Sequence, residues 1–386
     1  MRGRIYTDQK CSICNSSFIH EDRRRGLFCP VHPDQKATSR FLVQFGRKIR
    51  KRFSHYAQAE RFLDGLRYEV DQGAFDYRDY LSSNPLSFIV LSNKYLQNKK
   101  SKVASGTYIR FNGIFRTAQE YFQNTNVKNI QYAQLEDFID SLQVSNKTKS
   151  NYLSCLKGFY KWMLKRKEIN RNQFPDFPEV SFELGFRKTI DKQTQSQIIN
   201  EIKRISFHVS PKIWLGIKWL STYISIRPAE IRNLKEGHID LQQGYFFIPH
   251  PKEKRPKIVP LIKDDIQILK NMPTGLPELY FFRHGKNVSG CTPGQRFGEK
   301  LFYKWWKRAC DNLEIENVDL YGGTRHSSAI ALRDHATPEQ IKRATMHSTS
   351  KAFDRYFLVS KSELQEMYEA TKCDTGVIPK RQIVTK

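Results

Sequence analysis

The sequence is short of cysteine, short of acid relative to base, and has no long apolar run. No hydrophobic stretch approaches the ~18 residues that a membrane span requires, and the Met-Arg-Gly-Arg start carries no apolar signal core. A soluble, cytoplasmic protein is the expectation. The 7 cysteines give no disulfide framework: Cys155, Cys291, Cys310 and Cys373 are scattered, while Cys11, Cys14 and Cys29 cluster. Internal repeats and low-complexity tracts are absent, which excludes solenoids. The deficit of acid is large, with 39 Asp+Glu against 65 Lys+Arg in 386 residues and a net charge of +26. Such a field predicts a polyanionic partner. Aromatics at 13% supply cores for two or three domains, so the charge decorates a folded chain.

Cys11-x-x-Cys14 and Cys29-x-x-His32 form two paired spacings of the kind that bring four ligands to the corners of a zinc tetrahedron. With all four positions filled by protein, the metal would be structural, so residues 1–38 read as a zinc-binding module. Alternating Phe41, Val43 and Phe45, a break at Gly46-Arg47-Lys48, and Ile49-Arg50-Lys51-Arg52-Phe53 predict a basic hairpin. A helix follows, with Ser54 as its cap and Ala59, Phe62, Leu63, Leu66 and Val70 on one stripe. Residues 1–55 hold 13 Lys+Arg and 4 Asp+Glu, a surplus of +9 that a β-ribbon could lay in a DNA groove. Residues 39–75 are this domain, and 74–86 read as a linker.

Residues 84–172 predict about four helices with a basic face, on stripes that include Ile109, Ile114, Phe115, Ala118 and Phe122, then Leu135, Phe138, Ile139 and Leu142, then Tyr152, Leu153, Leu156, Phe159, Tyr160 and Met163. Phe174-Pro175-Asp176-Phe177-Pro178 reads as a stiff linker. From 185 to 370 the pattern is mixed. Ile213, Ile217, Leu220 and Ile224 mark a helix, Tyr245–Ile248 pairs with Lys257–Leu261, and Thr337-Pro338-Glu339-Gln340 is a capping box. Residues 371–386 form a polar tail. The fold class is thus multidomain and mostly α with small β-sheets.

Within 185–370 five residues stand in a telling order. Ser225-Ile226-Arg227-Pro228-Ala229-Glu230-Ile231 puts an arginine at a helix start with Glu230 placed to orient it. Lys252 stands eight residues before Pro260. Arg325-His326 opens another helix, Met346-His347-Ser348 follows, and Tyr356 comes nine residues after His347. Residues 187–366 resemble the catalytic domain of the tyrosine recombinase, or phage integrase, family. The resemblance implies that Tyr356 attacks a DNA phosphodiester to give a 3′-phosphotyrosyl link. It implies further that Arg227 and Arg325 clamp the phosphate, His347 donates to it, and Lys252 protonates the departing 5′ oxygen. Lys254 and Lys257 are close enough to leave the choice of lysine open. The family's second box reads His-x-x-Arg, but Gly322 stands three before Arg325. Either Tyr321 takes that histidine's polar role or the role is absent, and the Gly322-Gly323 pair could let backbone approach a phosphate.

By the same resemblance, residues 84–172 correspond to a core-binding domain and 39–75 to an arm-type DNA-binding domain. The implied enzyme integrates or excises a mobile element. It would act as a homo-oligomer, a tetramer on paired double-stranded DNA sites, with accessory DNA-bending proteins as possible helpers and no membrane partner. A bacterial, nucleoid-associated setting follows. No nucleotide cofactor or catalytic metal is implied, and the zinc is not part of the common family pattern. A type IB topoisomerase, or an inactive descendant that only binds DNA, are the alternatives.

Overall fold

A computed structural model describes residues 3–183, 185, 187–285, 290–346, 365, 368 and 369. The chain divides into two compact units, Met1–Leu184 and Gly185–Lys386. Mostly helical, it carries three small antiparallel sheets among the described residues. No helix there is long and apolar enough to cross a membrane.

In the first unit, strands β1 (Arg4–Thr7), β2 (Ile19–Glu21), β3 (Gly26–Phe28), β4 (Phe41–Phe45) and β5 (Ile49–Phe53) precede helix α1 (Tyr56–Asp71). The hairpin β4–β5 pairs Phe41 with Phe53 and Phe45 with Ile49, and its turn uses Gly46 at φ 59°. That left-handed conformation favours glycine. The third strand of this sheet is β1, which pairs Ile5 with Val43. The cysteine-rich segment with its β2–β3 hairpin is therefore inserted within the basic domain and does not precede it. Alternation buries Ile5, Phe41, Val43, Phe45 and Ile49 against Ala59, Leu63 and Leu66 of α1. Arg50, Lys51 and Arg52 are left exposed. The cap of α1 is His55 and not Ser54, and it makes no side-chain cap bond.

Helices α2 (Phe88–Lys100), α3 (Ser105–Phe122), α4 (Tyr132–Ser141) and α5 (Asn146–Lys165) form the bundle. Ser87 and Ser145 cap α2 and α5 by accepting from Val90 and Thr148 amides. Phe88, Phe115, Phe138, Phe159 and Tyr160 fill the centre, and Tyr160 Oη donates to the Val127 carbonyl at 3.0 Å. Ile109 departs from the expected stripe: it is 70% exposed. Residues 76–80, read from sequence as linker, are tied to this bundle. Arg78 bridges Asp76 and Glu168, at 2.6 Å to the latter, while Lys128 Nζ lies 2.7 Å from both Asp76 and Asp79. The Phe174–Phe177 stretch also packs, both rings lying edge-on to Tyr160.

The second unit comprises α6 (Lys192–Ser206), α7 (Pro211–Thr222), α8 (Pro228–Arg232), β6 (Ile239–Asp240), β7 (Tyr245–Ile248), β8 (Lys257–Pro260), α9 (Lys263–Lys270), α10 (Leu301–Asn312), a π-turn at Gly322–His326, α11 (Ser327–Ala331) and α12 (Pro338–Thr345). Pro211, Pro228 and Pro338 each open a helix where a missing amide costs nothing. Helix α7 ends before Ile224, which is buried from the following loop. Strands β7 and β8 pair Tyr245 with Pro260 and Ile248 with Lys257. The core stacks Trp219 on Phe246 at 5.1 Å and on Phe281 at 5.8 Å. Helix α8, the β7–β8 hairpin and the π-turn carry the residues of interest.

Candidate active site

Arg227 caps α8, and its neighbour Glu230 reaches back to it. Glu230 Oε2 accepts from the Arg227 amide at 3.1 Å and Oε1 from Nη1 at 3.3 Å. The three-residue spacing read from sequence thus orients the guanidinium. Glu253, on the loop between β7 and β8, makes a second ion pair with Arg227. Burial opposes the charge on Arg227, but Glu253 and then Glu230 outweigh it and raise its pKa; Tyr321 acts in the same direction. Burial likewise opposes ionisation of Glu253, yet bonds from Lys257 and Arg227 hold its carboxyl below the ordinary value.

The lysines of the hairpin separate by environment. Lys252 is exposed on the loop, with its amide donating to Glu230 Oε1 at 3.1 Å. Lys254 is exposed too. Lys257, at the start of β8, is 2% exposed, and its Nζ lies 2.8 Å from the Ser225 carbonyl, 3.0 Å from Glu230 and 2.9 Å from Glu253. A lysine with its donors so engaged braces the arginine's carboxylates and is poorly placed to meet a leaving group.

Arg325 comes to the same place from a distant segment. Its Nη1 donates to the Ile226 carbonyl at 3.3 Å, next to Arg227, and its Nη2 to the Thr345 carbonyl at 2.6 Å. Nε has no hydrogen-bond partner, and the residue is 1% exposed. The Tyr321 ring centroid lies 5.8 Å from the Arg325 guanidinium and 5.2 Å from that of Arg187. His347 and Tyr356 lie outside the described residues, as does the tail at 371–386. Arg227, Arg325, Tyr321 and the Lys252 loop are thereby gathered around Glu230 and Ile226.

The glycine pair has a different use from the one its sequence suggested. A Cβ on Gly323 would stand 2.1 Å from Trp306 Cζ2, and one on Gly322 would stand 2.6 Å from the Lys188 carbonyl oxygen. Both are buried by protein, so their role is close packing of the π-turn and not an approach to phosphate. Gln195 satisfies the turn, donating to the Gly323 carbonyl at 2.7 Å. Gly322 therefore has no room for a histidine. Glu253 was not among the sequence-derived site residues, and Lys257 entered only as an alternative to Lys252; a Glu-x-x-x-Lys spacing in a proline-rich loop gives no signal that would single out the ion pair they form.

In the first unit, the ligand atoms of Cys11, Cys14, Cys29 and His32 all lie within 4.8 Å of one another. The Cys14 and Cys29 sulfurs are 3.4 Å apart, and His32 Nδ1 lies 3.8 Å from Cys11 Sγ and 3.9 Å from Cys29 Sγ. Three sulfurs and an imidazole at these separations fit a tetrahedral ion with metal–sulfur bonds of about 2.3 Å. Hydrogen bonds from Ser16 bring the Cys14 thiol down to about 6, and the His32 amide donates to Cys29 Sγ at 3.3 Å.

Residues 88–143 match the family model of the phage integrase N-terminal SAM-like domain. Solved structures align over most of the chain. The Tn1549 transposon integrase (its residues 82–397) in complex with circular intermediate DNA is 13% identical, with a TM-score of 0.54, over 73% of this chain and 99% of that one. A lambda integrase dimer bound to a core site is 10% identical, with a TM-score of 0.55, over 87% and 96%. A lambda integrase tetramer on a Holliday junction is 12% identical, with a TM-score of 0.54, over 81% and 94%. The chain has the tyrosine recombinase fold. No curated protein matches it. Within that fold, the SAM-like match falls on α2, α3 and α4, and the arginines lie in the second unit.

Proposed function

We propose that the protein is a site-specific DNA recombinase that cleaves and rejoins strands through a 3′-phosphotyrosyl intermediate on Tyr356, integrating or excising a mobile element. One observation carries the reading: Arg227 and Arg325, 98 positions apart in sequence, meet across the Ile226 carbonyl. A buried guanidinium with an uncommitted Nε, bonded to the carbonyl that precedes an arginine fixed by carboxylates, suits a phosphate whose charge grows in the transition state. Arg325 would need to be uncovered on binding DNA. Lys252, exposed and near Arg227, is the proposed general acid. Thr345, bonded to Arg325, is two residues from His347, and successive Cα atoms are about 3.8 Å apart. That continuity supports His347 as a donor in the same site. Tyr321 is the proposed substitute for the second-box histidine.

The DNA complexes of the integrases that share this fold support double-stranded DNA as partner and assembly on paired sites. The +26 charge supports it independently, with affinity falling steeply as salt rises. The four-ligand cluster would hold a structural zinc in the segment inserted between β1 and β4, and the β1–β4–β5 sheet with α1, residues 84–172 and residues 185–370 would divide arm-type binding, core binding and catalysis.

Duplexes bearing a nick near the junction of the element with flanking DNA test the reading. Wild-type protein should be trapped covalently at specific sites, and Tyr356→Phe should bind without an adduct. Trapping on any duplex would favour a topoisomerase. The exclusion of a histidine at Gly322 favours a second reading, a protein that binds DNA without cutting it, and absence of any adduct would support that one.

A further inference from the structure

The two carboxylates on Arg227 are held differently. Glu230 belongs to α8, is 5% accessible at its side chain, and accepts from the Arg227 and Lys252 amides as well as from Lys257. Glu253 belongs to a loop in which Lys252, Lys254 and Arg255 face solvent, whereas its own side chain turns inward, to 11% accessibility. One of its oxygens pairs with Arg227 Nη1 and the other lies 2.9 Å from Lys257 Nζ. A carboxylate offering two oxygens and one negative charge is a fair copy of the two non-bridging oxygens of a phosphodiester.

Charge decides what happens when a phosphate arrives. Among the groups in direct ion-pair contact, Arg227 and Lys257 are balanced by Glu230 and Glu253, two against two, while Arg325 stands outside these pairs on the Ile226 and Thr345 carbonyls. A phosphodiester added to that set would place a third anion against two carboxylates at close range, where low dielectric makes repulsion severe. Exchanging one monoanion for another leaves the balance intact. Glu230 is locked to the helix start, so Glu253 is the group that can leave.

We propose that Glu253 occupies the phosphate seat of the DNA-free protein and is displaced by the incoming phosphodiester. This rests on the reading of Arg227 as a phosphate clamp. Displacement moves the loop that carries Lys252, so release of the seat and positioning of the proposed acid are one motion. Glu253 is a positioning residue that competes with substrate and takes no part in bond making. The internal anion also keeps Arg227 from capturing free phosphate, and the seat opens only where a duplex supplies further contacts.

The full chain, with a fluorescent short duplex of arbitrary sequence as probe, tests this by anisotropy at fixed salt. Glu253→Gln should bind on the order of tenfold tighter than wild type, because the fraction of seats open to phosphate rises. In an Arg227→Gln background the same change should give no gain. Equal or weaker binding by Glu253→Gln, or a gain that persists undiminished without Arg227, would overturn the proposal. Wild-type protein gives a second measurement that needs no variant to fold. Carbodiimide labelling read by mass spectrometry should rise at Glu253 when duplex is added while Glu230 stays protected, and unchanged labelling at Glu253 would also overturn it. Failure of cleavage on every nicked duplex would remove the recombinase reading and leave this coupling standing. Loss of the coupling with cleavage intact would remove the role of Glu253 alone.

Discussion

Arg325 closes the C-terminal end of α12, its Nη2 donating to the Thr345 carbonyl at 2.6 Å. A guanidinium there satisfies an orphan carbonyl and faces the negative end of the helix dipole. The same group bonds the Ile226 carbonyl, so one side chain joins the start of α8 to the end of α12. The segment that leads to His347 is thus anchored by a residue proposed to hold the phosphate, and binding at Arg325 would be felt at α12.

Met346 carries the left-handed conformation that ends α12, with φ 54° and ψ 41°. In the resembled family motif this position is a glycine, which adopts such angles without a Cβ clash. Met346→Gly should relieve that strain and stabilise the helix end by about 0.5–1 kcal/mol, partly offset by the greater freedom of glycine in the unfolded chain. Amide exchange over Pro338–Thr345 measures it. Faster exchange in the glycine variant would mean that contacts of the Met346 side chain outweigh its backbone cost.

Gly322→His restores the family's His-x-x-Arg spacing and should nonetheless fail to improve function. The new Cβ would meet the Lys188 carbonyl oxygen at 2.6 Å and Asp319 Oδ1 at 3.0 Å, neither of which is the free end of a flexible chain. Overpacking of this kind costs roughly 1–3 kcal/mol. The expected outcome is a lower unfolding temperature and no gain in covalent trapping on nicked duplex. Higher trapping would show that the π-turn can rearrange to admit a histidine.

Local periodicity made much of the fold legible. Alternation over Phe41–Phe45 and the Thr337–Gln340 box are patterns written in neighbouring residues, and the strand and the cap both formed as expected. What needed distant partners was hidden. Strand β1 was missed because its partner Phe41–Gln44 lies across the whole cysteine insertion. Ile109 repeats at helical spacing yet faces solvent, since spacing gives a face and not what covers it. The glycine pair was read toward phosphate because nothing local reveals Trp306 against it. Arg227 and Glu230 were legible as a pair on one helix turn, whereas Glu253 is recognisable only once the hairpin folds it back.

Metal removal should act on the first unit and leave the second intact. The four ligands sit between β1 and β4, so losing the ion frees the segment from Asp8 to Thr38 and with it the anchor that returns β1 to the sheet. One zinc per chain should be found by elemental analysis. Chelation, or Cys11→Ser, should accelerate amide exchange in β1, β2 and β3 while α6 to α10 keep their protection. Protection of β1 unchanged after the metal is gone would show that strand pairing with β4 suffices without it.

Acid should loosen the Tyr77–Tyr80 turn before it loosens the bundle. Burial works against ionised Asp76, but bonds from Arg78 and Lys128 overcome it and hold its carboxyl well below the usual range. A group with a depressed native pKa contributes stability that is fully present above its unfolded value of about 3.9 and is lost as pH falls below it. Asp76→Asn should therefore weaken this junction at pH 7 by about 2 kcal/mol, because Arg78 and Lys128 lose a shared partner. Exchange of the amides at Arg78 and Glu168 should be faster in the variant at neutral pH, and the two proteins should converge as the pH falls from about 3.9 toward the depressed native pKa of Asp76. A difference that persists unchanged in acid would mean that the asparagine disturbs packing and that the charge of Asp76 is not what holds the turn.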